Sequence, residues 1–177
     1  MTNGDDTMPH WRRWVLVIWL LAAAVFLVMR WPFIQHYILP DTDDNMRMAQ
    51  VRALLNGQAW YDLRQYKLNP PVGYNIHWSR FVDLPLAAIQ LIVRPFAGAL
   101  TAERAAAAIG PMLPLGVALF GMALTVRRLV DQRAFAIGAG LVLCCQTSLL
   151  MFMPQRVDHH GWQLAFLVLT IAGLSDP

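Results

Sequence analysis

The stretch PDTDDNMR places Asp41, Asp43 and Asp44 within four residues, and QRVDHHGWQ places Asp158 beside His159 and His160. Carboxylates crowded at one helix end repel one another unless a cation neutralises them, and a divalent metal does so. Asp158 and His160 offer one hard oxygen and one imidazole in a short irregular segment, a pair that suits manganese, magnesium or zinc. A carboxylate from the acidic motif raises the count to three ligands and leaves open positions for water or substrate oxygens, as a catalytic metal needs. A third group lies in NIHWSR, where the planar fork of Arg80, with His77 nearby, suits the phosphate oxygens of an anionic headgroup.

Each group also has a plainer reading. Asp41 is a credible helix N-cap with Asp43 and Asp44 in the first turn; Met48, Val51, Leu54 and Leu55 recur at helical spacing, and Gly57 is placed to end the helix. Asp158 can cap the last helix while Arg156 reaches toward headgroups and Trp162 joins an interfacial aromatic belt. His77, Trp78 and Arg80, delivered past the Pro70-Pro71 break, can belong to such a belt as well. Spacing alone leaves both readings open.

The elements that must position these residues are apolar helices. Of 177 residues 57% are hydrophobic and 14% charged, and several runs approach the ~20 residues that cross a bilayer. The chain therefore reads as an all-α integral membrane protein with about four transmembrane helices. Its net charge of +3 is almost all arginine in short clusters beside apolar runs, which is topology information and not a nucleic-acid patch. Cys144 and Cys145 are neighbours in an apolar run and read as reduced packing residues.

Residues 14–31 follow a cytoplasmic N-terminus of residues 1–13. This run is longer than a signal-peptide core and lacks an A-x-A cleavage site, so it is read as an uncleaved helix. With Arg12 and Arg13 held in the cytoplasm, its C-terminal end faces outward. Spans over 105–126 and 134–153 flank RRLVDQR, the most basic loop (127–133), which belongs in the cytoplasm. Residues 154–161 then return to the outer face, and 162–177 head inward again. Residues 81–100 are hydrophobic but carry Asp83, Pro85, Arg94 and Pro95, and a full crossing there would put the basic loop outside. An interfacial or re-entrant helix is expected instead. Residues 32–104 thus form one external loop, and both acidic motifs share the outer face of an inner (plasma) membrane.

The order of a first membrane helix, an acidic motif with an arginine six residues on (Asp41 to Arg47), an external loop with HWSR before a hydrophobic stretch, and DHH after the third span resembles a known family. It is similar to the N-terminal part of the oligosaccharyltransferase catalytic subunits, GT-C-class membrane glycosyltransferases that use lipid-linked sugars. The resemblance spans roughly residues 11–175, and its specificity lies in the joint order of short motifs. It implies that Asp158 and His160 bind a divalent metal, Mn2+ or Mg2+, together with Asp41 from the first external loop, Asp43 being the alternative. It also implies that Asp41 or Asp43 orients the acceptor nucleophile, and that Arg80 and His77 face the donor phosphate. The implied reaction moves a sugar from a polyprenyl-diphosphate donor to an acceptor on the outer face, with metal and arginine stabilising the charge on the leaving group. Members of that family have further helices, another acidic external loop and usually a soluble acceptor-binding domain. The expectation is hence an N-terminal part, inactive alone and completed by a second membrane chain or by further sequence. The alternative is a non-catalytic membrane subunit, or a protein binding lipid headgroups or metal, derived from that family. A small ion transporter fits poorly, because the spans are nearly all apolar.

Overall fold

A computed structural model describes residues 8–176, which are mostly helical. Residues 1–7 of the expected cytoplasmic N-terminus, and Pro177 at the end of the expected last helix, lie outside the described residues. The helices are α1 (Trp11–Met29), α2 (Trp31–Gln35), α3 (Thr42–Leu55), α4 (Asp83–Ile109), α5 (Met112–Leu129), α6 (Phe135–Cys144), α7 (Gln146–Leu149) and α8 (His160–Leu174). A two-residue antiparallel ladder, Arg64–Gln65 with Tyr74–Asn75, pins the long connection between α3 and α4.

Helix α5 is the axis of the bundle, since α1, α6 and α8 all pack against it. Small residues let the backbones approach, in place of the large apolar interfaces of soluble bundles. A Cβ on Gly138 of α6 would lie 2.8 Å from Val126 and 2.9 Å from the Met122 carbonyl oxygen; one on Gly121 would lie 3.0 Å from Val168 of α8. Leu115, Leu119, Ala123, Ala139 and Ala165 are fully buried between these helices. On the other side Trp19 of α1 donates its indole N–H to the Met112 carbonyl at 2.7 Å, and Trp11 stacks on Phe120 at 5.3 Å. The outward faces stay apolar: Leu16, Leu20, Leu21, Val25 and Val28 on α1, and Leu167 and Leu174 on α8, are exposed. Two helical stretches, α1 and residues 83–129, are long and apolar enough to cross a membrane, and a third qualifies if α6 and the turn after it count as one bent span.

Two departures from regular helix shape the polar end. Helix α4 breaks at Gly98, whose φ of 79° is open to glycine without strain. A straight helix would separate residues 86 and 110 by about 36 Å. Instead a Cβ on Gly110 would overlap the Leu86 side chain, and Leu86 and Ala87 share a buried cluster with Ala106 and Ala107. The segment expected to be interfacial or re-entrant is therefore a helical hairpin that begins and ends in one place. Residues 105–109, expected in the second span, belong to its returning limb, and the next helix, α5, starts at Met112. The third expected span, 134–153, is also not one helix: it bends by 74° at Cys145 and continues through α7 and a 3-10 turn.

The close approach at Gly138 sets a testable constraint. Gly138→Ala should lower the melting temperature of the purified chain, because overpacking costs ~1–3 kcal/mol. Gly140→Ala, where nothing lies within 4 Å of the new methyl group, should leave it unchanged; equal melting of the two variants would contradict this packing.

Candidate functional site

Helix α3 begins as its sequence requires. Asp41 is extended at φ −133° and accepts from the Asp43 N–H at 3.2 Å, and the helix ends before Gly57, at φ 94°. One face of α3 carries Asp44, Arg47, Met48 and Val51, all fully buried. Facing it is the segment after the third span, held by its backbone and by Gln155. The Gln155 N–H donates to the Ala107 carbonyl at 2.7 Å, and its side-chain amide donates to the Phe33 carbonyl at 2.8 Å.

This register brings the two acidic motifs together. The Asp158 N–H donates to Asp44 at 3.1 Å, and Arg156 Nη1 lies 3.0 Å from both Asp41 Oδ2 and Asp44 Oδ2. Arg156, expected to reach toward headgroups, turns inward and is the cation between the two carboxylates. Its hydrogen bond holds the Asp41 carboxyl below the usual range, helped by the Asp43 N–H. Burial dominates at Asp44 and pushes its carboxyl up to about 6, against the pull of Arg156 and of the Asp158 N–H.

Behind this pair lies a second, more deeply buried group. Asp83, 1% exposed at the start of α4, sits 2.8 Å from Arg47 Nη1 and 3.2 Å from Arg80 Nη1, both arginines being 3% exposed or less. Arg80 also donates to the Gln50 carbonyl (3.1 Å), the Gln58 side-chain oxygen (3.1 Å) and the Asp62 carbonyl (2.6 Å). Its fork faces the protein's own oxygens, so it ties α3, the long connection and α4 together from inside. Arg47 has its guanidinium 4.6 Å over the Trp78 ring, with Nη2 4.0 Å from Asp158 and without a hydrogen bond.

Outward from Asp158 the polar groups become accessible. Asp158 accepts from the His159 N–H at 2.7 Å and contacts His159 Nδ1 through the same oxygen, while its other oxygen lies 3.3 Å from His160 Nε2. Helix α8 starts at His160 with no side-chain cap, so Asp158 is not a standard N-cap. His160 Nδ1 lies 2.9 Å from the Gln163 side-chain oxygen.

The donor atoms of Asp158, His159 and His160 lie within 4.8 Å of one another. One carboxylate and two imidazoles at this spacing are a donor set that could hold a divalent metal. Of the three expected ligands, Asp158 and His160 are together. Asp41 is engaged with Arg156, and His159 takes the place nearest the other two. Asp43, also in the first turn of α3, is partly exposed. His77 is exposed at the edge of Trp78, whose ring lies 5.6 Å from that of His159; both histidines line a cavity of about 480 Å3 with Phe81, Trp162 and Phe166. Sequence reasoning did not assign site roles to Asp44, Arg47, Asp83 and Arg156. A signal for two of them was present, since Asp44 and Arg47 fall on the same helical face as Met48 and Val51.

Comparison with protein-family models, with curated proteins and with solved structures returns no match.

Two outcomes follow from the charges. Asp83→Asn leaves Arg80 buried without a counter-ion and Arg47 with only Asp158 at 4.0 Å, and should cost ~3–5 kcal/mol, read by chemical denaturation; a loss under 1 kcal/mol would refute the pairing. The second concerns pH. The folded chain keeps the Asp44 proton to about pH 6, whereas the unfolded chain releases it near pH 3.8. More protons are bound in the folded state between those values, so stability falls as pH rises through this window. The lowered Asp41 titrates below it and does not interfere. Asp44→Asn should flatten the slope of melting temperature between pH 4 and 6, and a wild-type melting point constant over that range would contradict the assignment.

Proposed function

We propose that this chain resides in a membrane and that its outer face carries the metal-binding half of a glycosyl-transfer site using a polyprenyl-linked sugar. One observation carries the reading. The acidic first turn of α3 and the DHH segment, more than 110 residues apart, meet at one end of the bundle, bonded through Arg156 and the Asp158 N–H. Arg127 and Arg128, by contrast, lie in the last turn of α5, whose first turn borders the acidic end. That polarity supports an orientation with the arginines in the cytoplasm and the acidic groups outside.

In the proposed reaction the bond between the sugar's anomeric carbon and the donor diphosphate breaks while an acceptor nucleophile bonds to that carbon and gives its proton to a base. Bound divalent metal, Mn2+ or Mg2+, would stabilise the diphosphate leaving group. The residues offered to it are Asp158, His159 and His160, with Asp41 and Asp43 next to them as the carboxylates that would orient the acceptor. His77 is the exposed candidate for the donor phosphate. The aromatic cavity between Trp78 and Trp162 lies beside that position. A second membrane chain or further sequence would supply the remaining parts of the site.

A specific observation favours the alternative, a non-catalytic subunit that binds a lipid headgroup or a metal. Arg156 already bridges Asp41 and Asp44, and the Asp158 N–H donates to Asp44, so the acidic motif has a cation of its own without a metal. Calorimetric titration with Mn2+ tests the metal site itself. Binding should weaken at least tenfold in Asp158→Ala and in His160→Ala, and unchanged affinity in both would remove the metal site. Retained binding with no sugar transfer from a polyprenyl-diphosphate donor, measured with the completing membrane chain present, would leave the non-catalytic reading. Orientation is tested separately by single cysteines at Asn69, Gln163 and Arg133 in a chain lacking Cys144 and Cys145. An impermeant thiol reagent should label the first two from outside and not the third; labelling of only one of Asn69 and Gln163 would refute the common face.

A further inference from the structure

Away from the acidic end, a groove of about 530 Å3 runs between α1, α5 and α8, walled by apolar residues that include Leu16, Gly116, Phe120 and Leu169. Its floor is fixed, because the Trp19 indole is hydrogen-bonded to the Met112 carbonyl and a Cβ on Gly116 would come within 3.0 Å of the Trp19 nitrogen. The groove follows α1 for about 10 Å, from residue 12 to residue 19, and its one charged lining residue, Arg12, stands at the end. Arg12 lies 5.6 Å over the Trp11 ring and Arg127 4.9 Å over the same ring, so two guanidinium groups gather on one indole. Among the described residues no carboxylate pairs with Arg12 or with the neighbouring exposed Arg13.

We propose that this groove holds one acyl chain of an anionic phospholipid whose phosphate sits on Arg12, in the cytoplasmic leaflet. The charge distribution selects this occupant. An open apolar channel that ends in a cluster of cations complements an amphiphile with a negative head, and a chain seated together with a basic patch supplies the two signals that stable lipid attachment requires. A zwitterionic lipid satisfies the channel and not the arginines. The site is separate from the proposed transfer site, shares none of the residues assigned to it, and stands or falls independently of it; it shares only the orientation that puts α1's first turn in the cytoplasm.

Native mass spectrometry of the full chain released from nanodiscs, containing either phosphatidylglycerol or phosphatidylcholine, tests it. The wild type should retain one phosphatidylglycerol in preference to phosphatidylcholine. Arg12→Gln should reduce phosphatidylglycerol retention about fivefold, the factor that one arginine near an anionic surface supplies, and leave phosphatidylcholine unaffected. Leu16→Trp, at a half-exposed position in the groove wall, should reduce retention of both lipids. Leu20→Trp, equally exposed on α1 but outside the groove, should behave as wild type and controls for folding. Equal retention of the two lipids by the wild type, full phosphatidylglycerol retention by Leu16→Trp, or a lipid-free dimer would each overturn the proposal, the last by assigning the groove to a second copy of the chain.

Discussion

The polar end of the molecule depends on one carboxylate, Asp83, enclosed by two arginines. None of these three groups reaches water, and a charge withdrawn from solvent is tolerated only when it is paired. Arg47 comes from the buried face of α3, Arg80 from the end of the long connection and Asp83 from the start of α4. Forming the cluster therefore fixes three segments relative to one another at once. Asp158, 4.0 Å from Arg47, brings the charge of the group close to balance and couples it to the segment after the third span. One layer outward the pattern is inverted, with the single Arg156 between Asp41 and Asp44.

This layering sorts the acids by what they can do. Asp83 and Asp44 are enclosed, and Asp41 is held by Arg156. Asp158 is buried as well but stands at the boundary, with its two oxygens turned to the imidazoles of His159 and the exposed His160. The inner arginines hold the frame, and the outer carboxylate with its two imidazoles faces the open side. A rigid interior carrying an accessible donor set is what a site needs if its geometry is to survive the approach of a ligand. The Trp78 ring joins the layers, stacked on Arg47 on one side and close to His159 on the other.

The hairpin of α4 has a consequence for orientation. It leaves the acidic end and comes back to it, so Leu86 and Pro111 lie beside the same segment at 156–158. Helix α5 then starts at the acidic end and carries Arg127 and Arg128 to the opposite one, where Trp11 and Arg12 of α1 also lie. Gly98 makes this reversal possible, and two unlike ends of the bundle result: one built from paired acids and imidazoles, the other from arginines around an indole.

Much of this was legible in the residues themselves. The apolar runs, the cap at Asp41, the helix stop at Gly57 and the presence of Asp83 in an otherwise hydrophobic stretch all act through neighbours within a turn or two, and local propensity and periodicity report such effects directly. The partners were not legible. That Arg156 would face Asp41 and Asp44, that Arg80 would spend its donors on carbonyls of the loop before it, that His159 would stand nearer than Asp41 to Asp158 and His160, and that the third span would bend at Cys145 depend on which helices pack on α5 and at what height. Sequence alone determined which residues carry charge, which stretches shun water and where α3 starts and stops, because these are properties of short segments. Only the tertiary structure decided which charge neutralises which, because an ion pair across more than a hundred residues forms only where the packing of the whole bundle sets its two ends 3 Å apart.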